Sequence, residues 1–152
     1  MAEARLSFRM FLAALAGAAG LLLLPFAGQA MAAKCDGKKV TIKGTPGDDR
    51  IVGKKASDVI DGGGGDDVIT GGPNGNDTIC GGPGNDTLVG GRGFDSLHGD
   101  GGDDNLQGET GSDSINGGGG NDVICGLGGD DVIDATSLEV DGIKLTINGG
   151  LG

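Results

Sequence analysis

Residues 62–70 of the chain are Gly-Gly-Gly-Gly-Asp-Asp-Val-Ile-Thr, and the pattern of this stretch recurs in phase ten times. The ten units fill residues 44–134. Nine units have nine residues, and the fourth, residues 71–80, has one more at Pro73-Asn74. Counted past that extra residue, position 1 is always Gly, position 6 is always Asp, and position 8 is always Ile or Leu. A flexible acidic linker has no reason to keep such a phase, so the period predicts a repeat architecture.

The composition of the 152-residue chain excludes several classes of protein. With 36 Gly and no aromatic residues except four Phe, it argues against a globular core built on large side chains. The 22 acidic residues against 11 Lys and Arg give a formal net charge of -11. Because that charge repels phosphates, we expect no nucleic-acid partner. The acidic surplus favours cations as ligands instead.

Each unit divides into a turn, positions 1 to 6, and a short strand, positions 7 to 9. Glycines allow the turn to take positive φ and to bring its carbonyl oxygens inward. The alternation of a strand then points position 8 into a core and positions 7 and 9 outward. Two units make one coil, and coils stack at about 4.8 Å as parallel strands, so unit n should lie beside unit n+2.

Four units carry the full motif Gly-Gly-x-Gly-x-Asp-x-U-x, in which U is aliphatic: residues 62–70, 81–89, 90–98 and 117–125. This motif resembles the haemolysin-type (RTX) calcium-binding nonapeptide repeat family. The resemblance implies a parallel β-roll with calcium between stacked turns, bound by turn carbonyls and by the position-6 aspartates of units n and n+2. We therefore expect an all-β chain, a right-handed parallel β-roll of ten nonapeptide units with short β caps at both ends.

The resemblance assigns the metal ligands to two sets of residues. The aspartates are Asp49, Asp67, Asp77, Asp86, Asp95, Asp104, Asp113, Asp122 and Asp131. The glycines, through turn carbonyls, are Gly62, Gly64, Gly81, Gly90, Gly99, Gly108 and Gly117. The eight pairs of units n and n+2 would hold several calcium ions, at most about eight. Carboxylate and carbonyl oxygens suit calcium, a hard cation with about six to eight oxygen ligands, better than zinc.

Some units depart from the motif. Position 2 is not Gly in five units, which have Thr45, Lys54, Asp100, Glu109 and Leu127 there. The unit of residues 53–61 also has Ala56 at position 4, so it lacks two of its three glycines. The pair of Asp58 with Asp77 is therefore the weakest predicted site.

The charge pattern predicts that folding is coupled to calcium. Residues 62–134 contain 14 acidic residues and one basic residue, Arg92. Two carboxylates about 4 Å apart repel by roughly 4 kcal/mol at an effective dielectric of about 20, whereas one buried Ile or Leu contributes roughly 1.5–3 kcal/mol. Calcium would supply the missing positive charge. The alternative is a structural or adhesive module, at the cell surface or in a matrix, in which calcium only holds the fold together.

Residues 1–33 predict a cleaved secretory signal. Arg5 and Arg9 precede an apolar run over residues 10–24, and Pro25 and several small residues follow it. The alternative is an uncleaved membrane anchor, because residues 10–33 are long enough to span a bilayer. We expect a secreted, extracellular protein with no membrane contact after cleavage, or in the alternative a membrane-tethered one.

The segments that flank the repeats are expected to cap the roll. Residues 34–43 predict an N-terminal cap strand, and residues 135–152 predict a C-terminal hairpin cap followed by a partial repeat. Cys80 and Cys125 lie five units apart, so they should be on opposite faces and about 12 Å from each other, too far for a disulfide. Cys35 is the other candidate partner of Cys80, and the pairing stays open.

The sequence predicts no enzyme. It has no His-Glu-x-x-His and no Gly-x-Ser-x-Gly motif, and its one histidine, His98, holds an outward position 9 without a partner in the pattern. Ten equivalent aspartates indicate repeated metal sites, since catalysis would single out two of them. Calcium is the one ligand that the sequence predicts, and the outward residues identify no protein or glycan partner.

Overall fold

The structure, a computed structural model, describes residues 34–134 and 146–148, and all the regular elements in these ranges are β-strands. They are β1 (Lys34–Cys35), β2 (Lys38–Lys39), β3 (Ile42–Lys43), β4 (Arg50–Val52), β5 (Val59–Asp61), β6 (Val68–Gly72), β7 (Thr78–Pro83), β8 (Thr87–Arg92), β9 (Ser96–Gly101), β10 (Asn105–Thr110), β11 (Ser114–Asn116), β12 (Val123–Gly128), β13 (Val132–Asp134) and β14 (Thr146–Asn148). None of these residues belongs to a helix of the length and apolarity that a bilayer crossing requires.

Twelve of the strands form two parallel sheets of six. The odd-numbered strands from β3 to β13 make one sheet and the even-numbered strands from β4 to β14 make the other, each in sequence order. The chain therefore alternates between the sheets, and two units complete one coil. Ile51 pairs with Ile69 and Ile60 pairs with Ile79, so unit n lies beside unit n+2 even across the extra residue at Pro73-Asn74. The predicted parallel β-roll is confirmed.

The core is a double column of position-8 side chains between the two sheets. Eight of them are at most 1% exposed: Ile60, Ile69, Ile79, Leu88, Leu97, Leu106, Ile115 and Ile124. Ile51 and Ile133, in the first and last units, are only partly buried because the column ends there. The prediction that position 8 forms the core is thus confirmed, and the core is one aliphatic side chain thick on each sheet.

A short antiparallel hairpin covers part of the odd sheet. It consists of β1 and β2, and a disulfide joins Cys35 of β1 to Cys80 of β7 with a Cα–Cα distance of 5.7 Å. Lys38 Nζ also donates a hydrogen bond of 2.8 Å to Thr78 Oγ1. Thr78 and Cys80 hold outward positions 7 and 9 but are buried, because the hairpin lies over them. Cys125 lies on the other sheet, in β12.

The two ends of the roll differ in how much the structure describes. In the predicted N-terminal cap, Ile42–Lys43 forms β3, which pairs parallel with β5 and so extends the odd sheet by one strand. At the C-terminal end, β14 pairs parallel with β12 and extends the even sheet. The rest of the predicted C-terminal hairpin and partial repeat, residues 135–145 and 149–152, and the predicted signal, residues 1–33, lie outside the described residues.

Candidate metal centre

The turns of neighbouring coils stack through close backbone contacts. At position 4, Gly84 has a φ of +145°, and a Cβ there would run into the carbonyl oxygen of Gly65 in the neighbouring coil. At position 2, φ is positive in every unit from residue 62 onward, including three units without glycine, where Asp100, Glu109 and Leu127 have φ of 72°, 78° and 71°. Such a φ is unfavourable by roughly 1–3 kcal/mol for a non-glycine residue. The stack therefore imposes one turn shape even where the local sequence opposes it.

The position-6 aspartates form two hydrogen-bond ladders along the roll, one through the odd-numbered units and one through the even-numbered units. Asp86 Oδ1 accepts the main-chain N–H of Asp67 at 2.8 Å, and the same contact joins each unit n to unit n+2. Seven further bonds of 2.7–3.0 Å run from the N–H of Asp49 to Asp67, Asp58 to Asp77, Asp77 to Asp95, Asp86 to Asp104, Asp95 to Asp113, Asp104 to Asp122 and Asp113 to Asp131. The structure thus brings together every pair of aspartates that the repeat spacing places in units n and n+2.

The second carboxylate oxygen, Oδ2, distinguishes six of these aspartates from the others. It is buried and has no hydrogen-bond donor in Asp67, Asp77, Asp86, Asp95, Asp104 and Asp113. Each of these residues is at most 2% exposed. A buried carboxylate with neither a full set of donors nor a cation is strongly unfavourable. The six oxygens therefore mark places where a cation would be stabilised.

Each of these Oδ2 atoms borders a space that a position-1 glycine leaves open. At Gly90, a Cβ would stand 2.6 Å from Asp95 Oδ2 and 2.9 Å from the carbonyl oxygen of Gly108 in the next coil. A carboxylate oxygen and a carbonyl oxygen thus border the same small space beside the position-1 glycine. We call this space a cradle, and any larger side chain at position 1 would fill it. The equivalent pairs are Asp67 Oδ2 with the carbonyl of Gly81, Asp77 with Gly90, Asp104 with Gly117, and Asp113 with Gly126.

The predicted glycine ligands do not all lie at these cradles. The carbonyl oxygens of five of them border an aspartate Oδ2: Gly62, Gly81, Gly90, Gly108 and Gly117. Gly99 also holds position 1, and a Cβ on it would meet Asp104 Oδ2. Gly64 lies at position 3, where the nearest atoms to a Cβ would be the carbonyl oxygens of Pro83 and Pro46, at 3.6 and 3.9 Å. The prediction omitted the carbonyl of Gly126, although its place at position 1 marked it.

A further set of hydrogen bonds between stacked turns, made by the position-5 side chains, was not predicted from the sequence. Asp66 Oδ1 accepts the N–H of Asn85 at 2.8 Å, and Asn85 Oδ1 accepts the N–H of Asp103 at 2.8 Å. These bonds run in the opposite direction to those at position 6, because here the acceptor belongs to the earlier unit. Position 5 is Asp, Asn or Ser in nine of the ten units, with Phe94 as the exception, so the signal was present in the repeat. The position-5 side chains are exposed, and their hydrogen bonds link the stacked turns on the outside of the roll.

The burial of the aspartates changes their protonation. Burial raises the pKa of the Asp104 carboxyl to about 7 and the pKa of Asp86 and of Asp95 to about 6. Neighbouring aspartates of the same ladder add to the rise, and the N–H bond to Oδ1 opposes it. Burial raises the pKa of Asp67, Asp77 and Asp113 in the same way. The folded roll therefore binds protons at these positions more readily than the unfolded chain does, unless a cation is bound.

Without calcium, the roll is expected to become more stable as the pH falls. The folded pKa values of Asp86, Asp95 and Asp104 lie above the unfolded value of 3.8. The folded state therefore binds more protons, and its stability is lost as the pH rises from about 4 through about 7. Circular dichroism of the calcium-free protein should show more β-sheet at about pH 4.5 than at about pH 8. An equal or stronger β-sheet signal at about pH 8 would contradict this expectation.

The donor chemistry of the cradles fits calcium. Within residues 34–134, no three Asp, Glu, His or Cys side chains converge as a metal site. The side-chain donors are single carboxylates in successive turns, and the other oxygens at hand are main-chain carbonyls. An oxygen-only set with carboxylates and carbonyls is what calcium prefers, whereas zinc prefers nitrogen and sulfur. The buried Oδ2 atoms without donors thus fit a bound calcium ion.

Comparison with known protein families supports the same conclusion. The comparisons with curated proteins and with solved structures gave no match. A family model for the RTX calcium-binding nonapeptide repeat, in four copies, matches residues 43–73, 74–97 and 98–133. These residues are more than half of the chain and include all the cradles described above. With this match, the stacked turns and the ladders of buried aspartates, the chain belongs to the RTX calcium-binding nonapeptide repeat family.

Proposed function

We propose that the protein is a secreted, non-catalytic calcium-binding protein that holds several calcium ions between stacked turns and folds when it binds them. One observation carries this proposal: six buried aspartates, three on each of two ladders, each keep an Oδ2 atom without a donor. All of these atoms except Asp86 Oδ2 border a main-chain carbonyl oxygen of the next coil, in a spacing repeated along the roll. A single catalytic site would not need six equivalent copies.

The same positions of the repeat unit would supply the calcium ligands in successive coils. The carboxylates of Asp67, Asp77, Asp86, Asp95, Asp104 and Asp113 would hold the ions, together with the position-1 carbonyls of the next coil. Bound calcium supplies positive charge where the fold concentrates carboxylates. In the folded roll a main-chain N–H of the neighbouring coil fixes each Oδ1 atom, so that the Oδ2 atom of the same carboxylate lies at the cradle.

The charge distribution supports the coupling of folding to calcium. In residues 62–134 only Arg92 opposes 14 acidic residues, and in the described residues its side chain forms no salt bridge. Stacked carboxylates at about the strand spacing of 4.8 Å repel by roughly 3.5 kcal/mol per pair at an effective dielectric of about 20. The core offers only one Ile or Leu per unit against this repulsion. Binding free energy of calcium would then become folding free energy.

Two features support secretion. Residues 1–33 have the basic start, apolar run and small-residue end of a secretory signal. Cys35 and Cys80 form a disulfide, which persists in oxidising compartments and is rare in the cytoplasm. Extracellular calcium suffices for modules with dissociation constants of about 10⁻⁴ to 10⁻³ M. The environment would therefore keep the roll loaded and folded.

Isothermal titration calorimetry of the full chain tests the function directly. We expect several calcium ions to bind at up to about 1 mM, with no comparable binding of magnesium, which prefers a small octahedral site. The matched variants are Asp104→Asn, which replaces a buried Oδ2, and Asp103→Asn, which changes the exposed neighbour at position 5. Asp104→Asn should lose at least one ion and Asp103→Asn should lose none. No calcium binding up to about 10 mM would refute the proposed function.

A further inference from the structure

The charge of the roll changes abruptly at residue 62. Residues 34–61 contain seven basic and five acidic residues, whereas residues 62–134 contain one basic and 14 acidic residues. Lys43 Nζ lies 3.8 Å from Asp61 Oδ2 in the first of these segments. The beginning of the roll therefore has basic side chains that balance its carboxylates, and the remainder has almost none. A calcium ion is attracted to the second segment and gains little from the first.

The aspartates of the first two units are satisfied by donors of their own turns. Asp49 Oδ2 accepts the main-chain N–H of Thr45 at 2.6 Å and the Thr45 hydroxyl at 2.9 Å. Asp58 Oδ2 accepts the main-chain N–H of Lys54 at 2.7 Å, and Asp58 Oδ1 accepts the Thr41 hydroxyl at 3.2 Å. The N–H groups of Thr45 and Lys54 and the Thr45 hydroxyl therefore point at the Oδ2 atom that a cation would need. In both units, hydrogen-bond donors stand where later units have an oxygen without a donor.

The backbone at position 2 explains the difference between early and late units. Thr45 and Lys54 do not have a positive φ, whereas position 2 has a positive φ in all eight later units. In the early units the position-2 N–H therefore turns toward the aspartate of its own turn. Thr is β-branched and strongly disfavours positive φ, so the sequence itself sets this geometry at Thr45. The change of backbone shape coincides with the change of charge.

The structure assigns calcium to six gaps of the roll and makes the first two units, residues 44–61, a cap that binds no calcium. This inference rests on the proposed function and refines it. A gap is the space between the turn of unit n and the stacked turn of unit n+2, and the ten units form eight gaps. The gaps that begin at Gly44 and Gly53 are closed by the hydrogen bonds of Asp49 and Asp58. The six that begin at residues 62, 71, 81, 90, 99 and 108 each contain an aspartate Oδ2 without a donor. Asp49, a ligand expected from the sequence, is then a structural residue.

The segment before the cap has a covalent attachment to the roll that calcium does not control. The disulfide from Cys35 to Cys80 ties the hairpin of β1 and β2 to β7, the next strand after the cap in the odd sheet. Lys38 of the hairpin donates a hydrogen bond to Thr78 of β7, and the Thr41 hydroxyl bonds to Asp58 and Val59 of the cap. The first turns that would bind calcium therefore stack on a segment that a disulfide and hydrogen bonds hold in place, rather than calcium.

The number of calcium ions bound per chain tests this assignment. Equilibrium dialysis of the full chain at saturating calcium should give six ions, the number of open gaps. Asp49→Asn and Asp67→Asn are matched variants, because both residues hold position 6 of their units. Asp49 lies in the cap and Asp67 lies beyond it. Asp49→Asn should bind as many ions as the unchanged protein, and Asp67→Asn should bind at least one fewer.

The possible outcomes separate this inference from the proposed function. If the unchanged chain binds no calcium, the function itself is wrong. If it binds eight ions, or if Asp49→Asn loses an ion as Asp67→Asn does, the function stands and the calcium-free cap is wrong. The count for the unchanged chain decides the matter even if Asp49→Asn does not fold.

Discussion

Removal of calcium with EGTA is expected to unfold most of the roll, with loss of the greater part of its β-sheet signal in circular dichroism. Six buried Oδ2 atoms then have no cation beside them, and five of them border a main-chain carbonyl oxygen of the next coil. Burial of such charges is unfavourable by several kcal/mol each, which exceeds the roughly 1.5–3 kcal/mol from each core Ile or Leu. The loss should be cooperative, because each ion would contact two coils and each coil stacks on the next.

The controls for chelation separate charge from packing. Re-addition of calcium should restore the signal, and the same concentration of magnesium should not. In a triple variant, Asp86→Asn, Asp95→Asn and Asp104→Asn, the Oδ1 hydrogen bonds can persist while an amide donor replaces each Oδ2, beside a carbonyl oxygen at Asp95 and Asp104. This variant should keep more β-sheet than the unchanged chain in EGTA, although it binds fewer ions. A roll that keeps its full signal in EGTA at neutral pH would show that folding is independent of calcium.

The period of the sequence was enough to predict most of the fold. Gly at position 1, Asp at position 6 and Ile or Leu at position 8 imply a turn, a ladder and a core column, and the structure has all three. The extra residue at Pro73-Asn74 did not disturb this inference. It is absorbed within a turn, so Asp77 still accepts the N–H of Asp58 at 2.7 Å and Ile79 still pairs with Ile60.

What the period did not reveal depends on contacts between residues far apart in the chain. That β1 and β2 fold over Thr78 and Cys80 follows from the disulfide, which sequence spacing alone left open. The division between closed and open gaps depends on the φ angles of Thr45 and Lys54, which appeared in the sequence only as departures from Gly. A departure at position 2 has opposite consequences in different units, since Glu109 takes the positive φ and Thr45 does not. Only the three-dimensional stack separates the two cases.

Replacement of Gly99 by Ala is expected to destabilise the calcium-loaded roll by about 3 kcal/mol or more, whereas Gly101→Ala in the same unit should change it by less than about 0.5 kcal/mol. A Cβ on Gly99 would overlap both Asp104 Oδ2 and the carbonyl oxygen of Gly117. The carboxylate could rotate away only by leaving its cradle, and the carbonyl belongs to the stacked backbone. A Cβ on Gly101 would meet nothing within 4 Å, and Gly101 does not have a positive φ.

Thermal unfolding in saturating calcium measures both variants, and the difference should be about 10 °C or more in Tm. The pair isolates the cradle, because both changes add one methyl group and both reduce the freedom of the unfolded chain equally. Calcium binding gives an independent readout, since Gly99→Ala should also lose an ion if Asp104 Oδ2 is displaced. Equal Tm values for the two variants would mean that the space at position 1 is not needed. If Gly99→Ala lowers Tm but keeps all its ions, the glycine serves stacking alone, and the carboxylate binds calcium from outside the cradle.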